Sequence, residues 1–159
     1  LSKSEEILPH LNIFFTQHIS RWAQTSFPSL FLDTKQCLFY ERLSQIASET
    51  GWLRFSHISW QKKSIAFHFG FSYKGSFFWY KPSFDMAFAK NSPGEVLLRQ
   101  LLLLSIEESS HTFDFGLGDE PFKKRFATNI LTVSDWGLYP SHKVKHSSYE
   151  NTCYKPTSR

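Results

Sequence analysis

Two stretches of the chain carry residue types whose spacing supports chemistry. The first is Lys90-Asn91-Ser92-Pro93-Gly94, which opens the leucine-rich run EVLLRQLLLLSI. Ser92 suits an N-cap, Pro93 suits the first helical position, and Glu95 completes a capping box. A helix start offers free main-chain N–H groups and the positive end of the macrodipole, so it can also hold a diphosphate, with Lys90 adding charge. The second stretch is Asp119-Glu120-Pro121, after a short aromatic run. A carboxylate there can take a proton from an attacking amine or hydroxyl, or Asp119 can simply cap the turn that follows. Asp85, Asp114 and His68 are further acid–base candidates. A single strand histidine is as readily a packed residue as a catalytic one. The seven histidines are scattered without ligand spacing, so no metal is expected. No nucleophile elbow or Ser/Cys–His motif is present.

The elements that must position these residues follow from periodicity. Residues 5–20 form an amphipathic helix with Leu8, Leu11, Phe15, His18 and Ile19 on one side, its regular part beginning near Pro9. Asp33 or Thr34 caps a second helix over 35–49, which Gly51 stops. Three strands follow: 52–60, 64–73 and 76–84, the last two joined by a Lys74-Gly75 hairpin turn. In the middle strand Ile65, Phe67, Phe69, Phe71 and Tyr73 share a bulky face. Ala66, His68, Gly70 and Ser72 share a small one that leaves room for something to pack or bind. In the next strand Phe77, Trp79 and Lys81 oppose Phe78 and Tyr80. A helix from Pro93 to about Ser109, apolar on so many sides that it should be mostly buried, leads to a strand over 112–117. That order makes 76–117 a parallel βαβ unit with a right-handed crossover. A short helical turn after Asp119 and a last strand over 129–138 complete the pattern.

Composition sets the limits. At 159 residues, 41% hydrophobic and 20% charged, the chain reads as one globular domain with a sizeable core. Aromatics make up 18%, including 17 Phe, which favours strands. The net charge of +4 lies mostly in residues 139–159, which carry Lys143, Lys145, Lys155 and Arg159 against Glu150. The body is nearly neutral, so nucleic acid is not the expected partner. Residues 1–138 are expected to form the domain and 139–159 a basic, flexible tail. Cys37 and Cys153 form no motif, so a reducing compartment is expected, and no apolar run is long enough for a membrane helix. The chain begins at Leu1, without Met, and is expected to be a portion of a longer protein.

The element order resembles the GNAT acyltransferase fold: a mixed, mostly antiparallel sheet flanked by helices. The residues narrow the resemblance. YKPSFDMAFAKNSPGEVLLRQLL followed by TFDFGLGDEPFKKRFA is similar to the CelD-like and FemAB-like acetyltransferase domains, as are Arg21-Trp22 and Phe39-Tyr40-Glu41-Arg42-Leu43. The likeness spans roughly residues 5–138. It implies transfer of an acyl group from acetyl-CoA or another acyl-CoA to the amine or hydroxyl of a small molecule or glycan precursor. The family's contexts are envelope and exopolysaccharide biosynthesis, which implies a cytoplasmic location, in part peripheral to the inner membrane. The implied site places the pantetheine arm between strands 76–84 and 112–117. Lys90, Asn91, Ser92, Gly94 and Tyr80 would serve the cofactor, and Asp119, Glu120, Lys123 and His68 the chemistry. Lys123 matches a family lysine and would neutralise an anionic group, with a solvated basic face as the alternative. Two departures stand out: Gly94 is the only glycine of the phosphate loop, and Phe122 replaces a tyrosine. Larger members carry a degenerate half upstream, so a non-catalytic half-domain that completes a partner's site is the alternative function.

Overall fold

The computed structural model describes residues 1–134. They fall into two compact units, Leu1–Gly116 and a second beginning at Leu117. The boundary expected at residue 138, the tail beyond it and Cys153 lie outside the described residues.

The first unit is a mixed α/β fold. Helix α1 (Ser4–Trp22) turns Ile7, Leu11, Phe14, Phe15 and His18 inward. It begins upstream of the expected start at Pro9, because Lys3 C=O already accepts the N–H groups of Glu6 and Ile7. A proline one turn in removes only one bond. A single 3₁₀ turn, Leu30–Leu32, leads to α2 (Thr34–Glu49), where the Asp33 carboxylate accepts Lys35 N–H at 2.9 Å. Strands β1 (Leu53–Trp60), β2 (Lys63–Tyr73) and β3 (Ser76–Phe84) form an antiparallel meander. Both connecting turns, Gln61-Lys62 and Lys74-Gly75, have positive φ at their two central residues, which matches the twist of the flanking strands. A 3₁₀ segment (Met86–Asn91) and helix α3 (Pro93–Glu107) lead to β4 (Thr112–Asp114), which lies parallel to β3 at the sheet edge. The sheet order is β1-β2-β3-β4.

One face of the sheet carries α1 and α2. Phe14 is its centre, ringed by Phe15, Phe31, Phe55, Phe67 and Phe69, with centroids 5.3–6.2 Å away. The other face carries α3, which packs on β2 and β3 through Leu97, Leu98, Leu101 and Ser105. The small-residue face of β2 is therefore filled: Ala66 and His68 have no exposed surface. α3 is less buried than its composition suggests. Val96, Leu103 and Ile106 are 48–70% exposed, because a sheet lies on one side of it only. β4 also stops short of the expected residue 117. The Asp114 carboxylate accepts Gly116 N–H at 2.7 Å, and Gly116 turns out at φ +68.

The second unit contains a one-turn helix, α4 (Pro121–Lys124). Residues 129–134 form no strand, contrary to the strand expected over 129–138; the rest of it, 135–138, is outside the described residues.

Candidate active site

The site is built on an irregularity of β3. Phe69 pairs with Lys81 and Phe71 with Phe78, so two residues, Trp79 and Tyr80, stand against the single residue Gly70. An extra residue in one strand re-aims the side chains after it. Trp79 stays with Phe77 on the α3 face. Tyr80 reaches α2, and Lys81, the partner of buried Phe69, lies on the same side, with its ammonium 4.9 Å from the Tyr80 ring centroid. Simple alternation had put Lys81 beside Trp79; the bulge moves it. Gly70 is required here. A Cβ at that position would lie 2.2 Å from His68 Cε1 and 2.3 Å from Phe78 O.

β3 also parts from β4. The parallel ladder covers only Ser76–Phe78 against Thr112–Asp114, while β3 continues to Phe84. Over the remaining length the edge of β3 has no strand beside it among the described residues. Asp85 N–H donates to Ile65 C=O, so alternation turns Pro82 and Phe84 toward that open edge. Proline, lacking an N–H, suits an unpaired edge. Its carbonyl accepts Arg21 Nη1 at 2.8 Å, and the Arg21 guanidinium covers the Phe84 ring at 4.6 Å.

On the α1/α2 side the bulge meets a polar cluster. Tyr40 O–H donates to Tyr80 Oη at 3.3 Å. Burial and that bond push the Tyr40 phenol well above its usual range. His18 Nδ1 lies 2.8 Å from Ser29 Oγ, which also accepts Phe31 N–H. Burial first, then the charges of Lys81 and Arg21, lower His18 to about 4, so it is neutral at pH 7. On the opposite face His68 has no exposed surface. Its ring stacks on Trp79 at 4.6 Å, and Nε2 accepts Tyr80 N–H at 3.3 Å. Burial lowers its pKa to about 3, against a bond to the Phe78 main chain that works to raise it.

The loop that follows β3 ends at α3. The expected capping box does not form. Ser92 sits in the left-handed region (φ 49, ψ 48), so its side chain makes no cap bond, and Glu95 pairs instead with Arg99 at 3.0 Å. A side-chain cap needs the extended backbone that Ser92 lacks. Ser92 C=O accepts the N–H groups of Glu95 and Val96, and Pro93 has none. Gly94 N–H is left without an acceptor among the described residues. Lys90, Asn91 and Ser92 are exposed beside it in sequence. The helix start therefore fits an anion through one N–H, the macrodipole and a nearby lysine, without a competing carboxylate cap. Gly94 also allows close packing, since a Cβ there would meet Phe84 Cδ1 at 3.3 Å.

Asp85 caps the 3₁₀ segment through Ala87 N–H and pairs with Lys63 at 2.6 Å, which lowers its pKa. In the second unit both carboxylates are ion-paired: Glu120 with Lys123 at 2.7 Å and Asp119 with Lys124 at 3.0 Å. Asp119 does not cap α4; Glu120 occupies that position without a side-chain bond. Lys123 Nζ also donates to Leu117 C=O at 2.6 Å, so it is not part of a solvated basic face. Among the described residues no group of three or more His, Cys, Asp and Glu could hold a metal. No helix among them is long and apolar enough to cross a membrane. Sequence reading passed over the Tyr40–Tyr80 pair, the Arg21 anchor and the bulge. The available signal was Gly70 between Phe69 and Phe71, an isolated strand glycine of the kind that marks a bulge.

β3 thus bulges and runs on past its parallel neighbour β4, and the chain leads from its end to the start of α3. A family model described as an acetyltransferase (GNAT) domain matches residues 3–124, and the chain belongs to that family. No curated protein and no solved structure gives a significant match.

Proposed function

We propose that the chain transfers an acyl group, acetyl in the first instance, from acyl-CoA to an amine or hydroxyl by direct attack on the thioester. The observation that carries this reading is the combination of the β3 bulge with the open edge of Trp79–Phe84. No strand pairs with that edge among the described residues, which suits an extended pantetheine arm making main-chain contacts there. Gly94 N–H, with Lys90, Asn91 and Ser92, would hold the diphosphate, and Tyr80 would border the arm. The acceptor would approach from the α1/α2 face, between Tyr40, Tyr80, Lys81 and Arg21. The bound donor supplies an activated carbonyl: the acceptor's new bond to carbon forms as the C–S bond breaks, its proton passes to a base, and the CoA thiolate takes up a proton. By the sequence likeness alone, Asp119 or Glu120 is proposed as that base and Lys123 as a neutralising charge. His68, sealed in the sheet, is given no proton-transfer role.

The finer assignment rests on the sequence likeness. On that likeness the chain would belong to the CelD-like and FemAB-like branch, acting on an envelope or exopolysaccharide precursor in the cytoplasm or at the inner membrane, beside an upstream half-domain. One observation favours a second reading, a non-catalytic half that completes another domain's site: Asp119 and Glu120 are both neutralised by lysines. Steady-state assays with acetyl-CoA and a panel of amino sugars separate the two. Turnover that survives in Asp119→Asn but not in Glu120→Gln, or the reverse, supports the enzyme and names the base. Saturable CoA binding with no turnover on any acceptor supports the half-domain.

A further inference from the structure

The bulge of β3 presents a main-chain donor that a side chain of β2 accepts. Phe69 and Phe71 both turn their peptide groups toward β3, as partners of Lys81 and Phe78, so Gly70 between them turns away, toward Arg54 of β1. Tyr80, the extra residue, directs its N–H at β2. His68 Nε2 accepts it, at 3.3 Å. The ring is fixed on both sides of the bond. It stacks on Trp79 at 4.6 Å and 11° and on Phe77 at 5.8 Å and 19°. The absent side chain of Gly70 makes its seat, since a Cβ would come within 2.5 Å of Nε2 itself. His68 is wholly buried and its Nδ1 has no partner. An orphaned ring nitrogen in an apolar layer is unfavourable. Leucine or phenylalanine would fill the same volume without that cost, so packing alone does not account for histidine here.

We propose that His68 is a positioning residue that holds the β3 bulge, and through it the open edge where the acyl donor binds. The donor half of the proposal rests on the function proposed above. Without an acceptor for Tyr80 N–H, the bulge relaxes toward a regular pairing. Tyr80 and Lys81 then fall on opposite faces and the edge beyond Trp79 shifts register.

The test compares wild type with His68→Leu, which keeps bulk but no acceptor, and His68→Gln, whose Oε1 can replace Nε2. The readouts are amide exchange at Tyr80, the ¹⁵N resonances of His68 with any coupling across the Tyr80 N–H···Nε2 bond, and KM and kcat for acetyl-CoA. In wild type Nε2 is unprotonated at pH 7 and coupled to the Tyr80 amide. His68→Leu loses about tenfold or more in Tyr80 protection relative to flanking amides, the scale of one lost buried bond. Donor KM rises more than kcat falls, and His68→Gln recovers most of both. A protonated, uncoupled Nε2 in wild type overturns the proposal, even if His68→Leu does not fold. So does a His68→Gln variant no better than His68→Leu, or unchanged Tyr80 protection in the latter. A wild-type chain that binds no acyl-CoA defeats the donor half together with the proposed function, while the exchange and ¹⁵N data still decide whether His68 holds the bulge.

Discussion

Gly70→Ala is the substitution that the geometry of β2 and β3 condemns most directly. The added methyl would sit 2.2 Å from His68 Cε1 and 2.3 Å from Phe78 O, over an ångström inside ordinary contact on two sides. Neither neighbour yields easily. The His68 ring is clasped by Trp79 and Phe77, and the Phe78 peptide belongs to the ladder with Phe71. Overpacking of a rigid core costs about 1–3 kcal/mol, and two simultaneous overlaps place this one near the upper end. For a domain of this size that lowers Tm by roughly 10 °C. Urea and thermal unfolding at pH 7.5 measure it. Gly51→Ala is the control: it has positive φ but nothing within 4 Å, so it loses only the conformational term, about 1 kcal/mol. His68→Ala/Gly70→Ala removes one overlap and leaves the carbonyl, so the two changes should be markedly non-additive. A Gly70→Ala protein within about 0.5 kcal/mol of wild type, the range of an ordinary surface change, refutes the bulge geometry.

Other substitutions and conditions test other parts of the account. Ser92→Ala should leave stability almost unchanged, since Ser92 makes no cap bond, whereas Asp33→Ala should cost about 1 kcal/mol by removing a formed one; equal losses in a urea titration would contradict the cap assignment. Tyr40→Phe should cost about 1 kcal/mol, the bond to Tyr80 being removed together with its donor. His18 and His68 stay neutral in the fold down to about 4 and about 3, while in the unfolded chain they gain protons below about 6.5. The unfolded state then binds more protons, so stability falls as pH drops from about 6.5 toward those values; His18→Gln and His68→Gln should flatten that slope in a pH series of unfolding curves. Lys90→Ala should raise the KM for acetyl-CoA several-fold with little change in kcat, an effect that added salt diminishes.

Much of the scaffold was legible because its signals are local. Asp33 before an apolar-periodic run, Lys74-Gly75 between alternating strands, and Pro93 before a leucine-rich stretch each fix an element with little help from the rest of the chain. The errors came where tertiary structure overrides a local signal. Ser92, Pro93 and Glu95 spell a capping box, but a left-handed backbone at Ser92 and Arg99 one turn along dissolve it. Strict alternation put Lys81 beside Trp79, and a bulge stabilised by a neighbouring strand's histidine reversed that. Strand length at 112–117 was overread because nothing in FDFG says that Asp114 will bond the Gly116 N–H. The elements around the candidate site, the parallel β3–β4 pairing and the start of α3, were legible. The site's polar lining was not, because Arg21, Tyr40 and Tyr80 are far apart in sequence and meet only through helix-on-sheet packing.

The central claim is that the open edge of β3 and the start of α3 hold an acyl-CoA. Isothermal titration of the chain with acetyl-CoA, CoA and pantetheine tests it most directly. The account predicts saturable binding of acetyl-CoA and CoA, weaker binding of pantetheine because the diphosphate contact at Gly94 and Lys90 is lost, and a further loss of CoA affinity in Lys90→Ala. No heat from any of the three with a folded sample, or equal affinity for CoA and pantetheine, would contradict it.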